Sequence, residues 1–121
     1  MNQISNHKKI QSHDFEPNQA WVIFHAAIEG GTYFLIDAAS TYIFGNMPTD
    51  SLAKERITDL FQEAWKIKRQ WPEKIIISSS NAALDVFAAE AQRNNIVLEA
   101  VPDSCFTAIV APIKKTIKNY G

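Results

Sequence analysis

The chain has 121 residues, 46% of them hydrophobic, enough for one domain that buries roughly two thirds of its unfolded surface and too few for two. A formal net charge of −1 supplies no long-range field for a polyanion, so nucleic-acid binding would have to use a local patch. Cys105 alone excludes an intrachain disulfide, no apolar run approaches the roughly 20 residues that cross a bilayer, and no signal-like segment opens the chain, so a cytoplasmic protein without membrane contact is expected.

Residues 1–17 are polar and aperiodic and read as a flexible leader, with the domain occupying 18–121. The β-formers Trp21, Val22, Ile23 and Phe24 predict a first strand over 20–27, ended by Gly30-Gly31. Tyr33, Phe34, Leu35 and Ile36 predict a second strand. Thr41, Tyr42, Ile43 and Phe44 predict a third, broken by Gly45-Asn46 and Pro48. Thr49, Asp50 or Ser51 can cap a helix whose apolar positions Leu52, Ile57, Leu60, Phe61, Ala64 and Trp65 recur at helical spacing until Trp71-Pro72. The three isoleucines within 74–78 predict a strand buried on both faces, as in the parallel part of a sheet. A helix over 81–93, a strand over 96–101 and a short helix over 112–120 opened by Pro112 complete the chain.

Three strands, helix, strand, helix, strand, helix is the element order of an α/β ribonuclease H-like fold. It predicts a five-stranded mixed sheet, three antiparallel meander strands plus two parallel ones, flanked by helices. Three segments carry a closer resemblance. Pro17-Asn18-Gln19-Ala20-Trp21 resembles the entry to the catalytic core of retroviral integrases and transposases. Residues 33–42, with Asp37-Ala38-Ala39-Ser40-Thr41-Tyr42, resemble that family's second-strand segment, and residues 71–78 resemble its entry to the fourth strand. Beside a full integrase core the chain is expected to be short, without a zinc-binding leader or a C-terminal DNA-binding module.

The resemblance implies two divalent ions held by an aspartate on the first strand, an aspartate after the fourth and a glutamate on the helix after the fifth. Placing Trp21 on the family tryptophan puts the first ligand at Phe24, whose ring cannot bind a metal. The second falls on Ser79, followed by Ser80 and Asn81. No acidic residue occurs after Asp103, so a last helix over 112–120 is expected to supply no carboxylate. Asp37 could serve as a residual acidic site, although an Asp-x-x-Ser segment also closes a turn through its own backbone. Asp85, Glu99 and Asp103 read as a solvated helix position, an outward strand position and a turn. His7, His13 and His25 lack a zinc spacing, and Cys105 reads as a packed thiol.

On the surface, Lys114, Lys115 and Lys118 lie where the family carries DNA-contacting lysines, and equally where cations favour a helix C-terminus. Phe61, Trp65 and Trp71 suggest a homodimer through the first long helix, with Trp71 the more exposed. The expected function is a catalytically inactive integrase- or transposase-core-like domain derived from a mobile element, without cofactor, with weak nucleic-acid binding or protein association. Two alternatives stand beside it. One is an active Mg2+- or Mn2+-dependent nuclease or recombinase with unconventional carboxylates, Asp37 and Asp85. The other is a small-molecule or protein-binding module that shares only the fold.

Overall fold

The computed structural model describes residue 11 and residues 14–27, 30–51 and 53–118. Most of the expected leader lies outside these residues. Packing begins slightly earlier than expected, because Phe15 sits against the core beneath the Lys74 ammonium and a turn closes from Gln19 back to Glu16.

Strand β1 (Ala20–Ala26) is flanked by β2 (Thr32–Asp37) on one side, antiparallel, and by β4 (Lys74–Ser78) on the other, parallel. Outside these lie β3 (Ile43–Pro48), antiparallel to β2, and β5 (Val97–Val101), parallel to β4. The order β3-β2-β1-β4-β5, with helices α1 (Lys54–Lys68), α2 (Leu84–Arg93) and α3 (Asp103–Lys118), is the mixed sheet flanked by helices expected of a ribonuclease H-like arrangement. Alternation divides β1 between two cores. Trp21 and Ile23 face α1 and α2 together with Phe61 and Phe87, whereas Val22 faces α3 with Ile76 and Ile109.

Three expectations are corrected. The third strand runs through Gly45-Asn46 to Pro48 instead of ending at Phe44. A side chain on Gly45 would begin 2.8 Å from Leu60 Cδ1, so this glycine marks the close approach of α1 to the edge strand and not a turn. Helix α1 begins at Lys54 after a short 3-10 turn over Thr49–Ser51, and Ala53 at its N-cap makes no side-chain cap. Thr49 is committed elsewhere: its hydroxyl lies 2.8 Å from His25 Nε2 and its N–H donates to the Gly31 carbonyl.

The third correction bears on function. The last helix starts at Asp103, not Pro112, and Pro112 lies inside it. An interior proline costs about 3 kcal/mol. The helix nevertheless buries Cys105, Phe106, Ile109, Val110, Ile113 and Ile117, each large side chain contributing roughly 1.5–3 kcal/mol, and Pro112 itself is exposed. Burial therefore outweighs the break. The buried Cys105 fits the reading of a packed thiol.

One buried charge has no signature in the sequence. Glu90 on α2 is 3% exposed and accepts from the Thr58 hydroxyl of α1, the Arg93 guanidinium and the Asn94 side-chain amide, tying the two helices together. Hydrogen bonds to a charged group are each worth about 1.5–3 kcal/mol, and removing the acceptor strands its donors. Glu90→Ala is expected to lower stability by about 2–3 kcal/mol. Urea denaturation should show this as a lower midpoint with an unchanged slope.

Candidate functional site

Where β1 and β4 end, a cleft of about 390 Å³ opens, lined by Ile23, Phe24, His25, Tyr33, Thr49, Ser78, Ser80, Asn81, Ala82, Asp103 and Phe106. Strand register explains the grouping. Ile23 pairs with Ile77, so one step further along two parallel strands Phe24 and Ser78 lie side by side, on the face covered by α3. The chain leaves β5 at Val101 and enters α3 at Asp103, which brings that carboxylate over the end of β4.

Asp103 is exposed and Ser78 half-buried. The Ser78 hydroxyl donates to Asp103 Oδ1, and the Ser80 hydroxyl approaches Oδ1 at 3.1 Å and Oδ2 at 3.0 Å. The two hydroxyls also contact each other at 2.9 Å. These bonds, the one from Ser78 first and the one from Ser80 second, hold the Asp103 carboxyl below the usual carboxylate range, with slight desolvation opposing them. On the opposite wall His25 packs on Tyr33 at 4.7 Å between centroids. Burial raises the Tyr33 phenol, which stays protonated and donates to Asn81 Oδ1 at 3.4 Å. Asn81 Oδ1 also accepts from the Ala83 N–H at 2.8 Å, so the amide turns the chain into α2.

Phe24, Ser78 and Ser80 thus come together at one end of the sheet. Asp103 joins them, against the expectation that the last helix supplies no carboxylate. The error lay in the helix start: a carboxylate read as a turn residue is the first residue of α3. Ser79 itself is exposed, and its N–H donates to the Val101 carbonyl.

Asp37 does not belong to this site. It pairs with Trp21, at the other end of β1, about 10 Å or more along the strand from Phe24 at 3.3 Å per residue. The side chain is fully buried. Oδ1 accepts from the Asn18 N–H at 2.8 Å, and Oδ2 accepts from the Ser40 N–H at 2.9 Å and hydroxyl at 2.6 Å. It is a turn carboxylate whose two oxygens are engaged by these three donors. Asp85 is exposed on α2 and outside the cleft, and Glu99 pairs with Lys74 at 2.8 Å on the sheet.

The lysines also lie away from the cleft. Lys114, Lys115 and Lys118 are exposed, between about 16 and 22 Å along α3 from Asp103 at 1.5 Å per residue. Thr116 in the same turns touches Thr41 at 3.1 Å, which places this end of α3 beside the Asp37 turn. Of the expected dimer aromatics, Phe61 is fully buried in the core. Trp71 is half-buried, packed at a tilt between Trp21 and Trp65, and Trp65 is half-buried with Arg69 over its ring at 5.2 Å. Trp71 is therefore not an outlying exposed ring.

The donors of the cleft do not suit a divalent pair. Two hard ions require several carboxylates, and here one carboxylate with serine hydroxyls on both oxygens faces a phenyl ring. Among the described residues no three His, Cys, Asp or Glu side chains gather as a metal site, and no helix is long and apolar enough to cross a membrane. No protein-family model matches the chain, and no curated protein matches it.

Two outcomes check this geometry. Replacing Ser78 and Ser80 with alanine should return the Asp103 carboxyl toward its ordinary range, read by 13C NMR titration. Because the folded value is the depressed one, the associated stability is present above the ordinary carboxylate range and is lost as pH falls through the lowered value. In the double variant that acid-side loss should vanish. Asp37→Asn, which turns an amide toward backbone donors, should cost about 2–3 kcal/mol while leaving the Asp103 titration unchanged.

Proposed function

We propose that the chain is a catalytically inactive domain of the integrase or transposase core type, acting by binding instead of strand transfer. One observation carries the reading: the strand-end cleft is lined by Phe24 and by the serines either side of Ser79, and its single acidic group, Asp103, is engaged by Ser78 and Ser80. Without a cluster of oxygen ligands, the attacking and leaving oxygens of a phosphodiester lack their counter-charge. An active nuclease built on Asp37 and Asp85 is not favoured, since Asp37 is closed in a turn.

In this reading the domain is of mobile-element origin and works in the cytoplasm. Weak nucleic-acid contact uses Lys114, Lys115 and Lys118, exposed together at the far end of α3 and clear of the cleft. Self-association uses the outer face of α1 near Trp65, next to the exposed Ile67.

Incubation with branched and single-stranded DNA in Mg2+ or Mn2+ should yield no cleavage or joining products. Metal-dependent cleavage lost in Asp103→Asn would overturn the reading. Retention on immobilised DNA should be confined to low salt, fall steeply as salt rises, and disappear when the three lysines become alanine. Retention that survives this triple change would remove α3 from the contact.

A further inference from the structure

The cleft carries more polar structure than a vacated metal site requires. Asp103 has no cationic partner among the described residues, although its hydroxyl neighbours favour the ionised form. The Ser78 hydroxyl donates to Oδ1, and the one proton of the Ser80 hydroxyl, 3.1 Å from Oδ1 and 3.0 Å from Oδ2, is shared between the two oxygens. Oδ2 is therefore the less occupied oxygen and has room for an N–H donor. In the same cleft, the NH2 group of Asn81 has no acceptor among the described residues, its oxygen being fixed by the Ala83 N–H and the Tyr33 hydroxyl.

Ile23, Phe24, Ala82 and Phe106 give the cleft a hydrocarbon wall, and His25, Tyr33 and Thr49 complete the lining. The hydrocarbon wall suits an apolar body. The volume of about 390 Å³ falls at the small end of the roughly 300–1,000 Å³ usual for ligand pockets. We infer that the cleft binds a small primary amine, its ammonium on Asp103 Oδ2 and its apolar or aromatic body along Phe24 and Phe106. An acceptor atom near the ammonium would take the Asn81 side-chain N–H.

This inference adds a ligand to the inactive-domain reading and rests on that reading only in assuming that no metal occupies the Asp103 carboxylate. The test is an amide NMR titration of the full chain with 2-phenylethylamine, and in parallel with 2-phenylethanol, which keeps the ring and lacks the charge. The amine should shift signals of Phe24, Ser78–Asn81 and Asp103, and the alcohol should bind at least about tenfold more weakly, the loss of one charge-assisted hydrogen bond. Asp103→Asn should weaken the amine by a similar factor, with Asp85→Asn as an unaffected control. Should Asp103→Asn fold poorly, Ala82→Lys, which places a competing ammonium at the exposed rim, should also abolish the shifts.

Equal binding of amine and alcohol, amine binding indifferent to both variants, or no amine-induced shift at all would each overturn the inference. Titration with Mn2+ alone separates this failure from that of the functional reading. Selective broadening around Asp103 with DNA cleavage would sink both, whereas absent amine shifts without Mn2+ binding would sink only the amine site.

Discussion

Asn18 joins three parts of the chain that are remote in sequence. In the left-handed conformation, which asparagine tolerates better than most residues, its N–H donates to buried Asp37 and its side-chain oxygen accepts from the Trp21 indole at 2.6 Å. Its amide donates to the Gln70 carbonyl at 3.1 Å. The start of β1, the turn after β2 and the connection from α1 to β4 are thereby pinned at one point. Trp21, so anchored, meets Phe44, Phe61 and Trp71, and the core under α1 and α2 is arranged around its ring. Burying a carboxylate is tolerable only with its lone pairs occupied, and three donors from two segments meet that need.

This junction closes one end of the sheet, and the cleft lies at the other. The side chains at the cleft end, His25, Ser78, Ser80 and Asp103, bond to one another or to neighbouring loops without helping to close either core. Pro17–Trp21 and Asp37–Tyr42 both lie at the end that this junction closes.

The element order and the mixed sheet were readable because β1 and β2 carry runs of β-branched or aromatic residues, and because Ile75–Ile77 announces burial on both faces. Boundaries were less so where a tertiary contact overrides a local signal. Gly45 reads as a turn until Leu60 is seen against it, and Thr49 reads as a cap until His25 claims its hydroxyl. Pro112 reads as a helix start until the buried stripe from Cys105 to Ile117 is seen to cross it. That last reading hid Asp103 from the site. The cleft was hardly legible, because the meeting of Ser78, Ser80 and Asp103 depends on a 25-residue excursion through α2 and β5. Glu90 was not legible at all, since only the packing of α1 on α2 buries it.

Strand β1 comes first in the chain and lies at the centre of the sheet. Its partner β2 follows within a few residues, but its other edge waits for β4, and the Asn18–Gln70 bond that accompanies that closure spans 52 residues. Such non-local parallel pairing forms slowly relative to a hairpin. Until α1 has been made and the chain has returned, Ala20–Ala26 exposes a hydrogen-bonding edge flanked by Trp21, Val22 and Ile23, an open template for another strand. During synthesis, the interval between the emergence of β3 and of β4 is thus the stage at which this chain is most exposed to pairing with a second copy of itself.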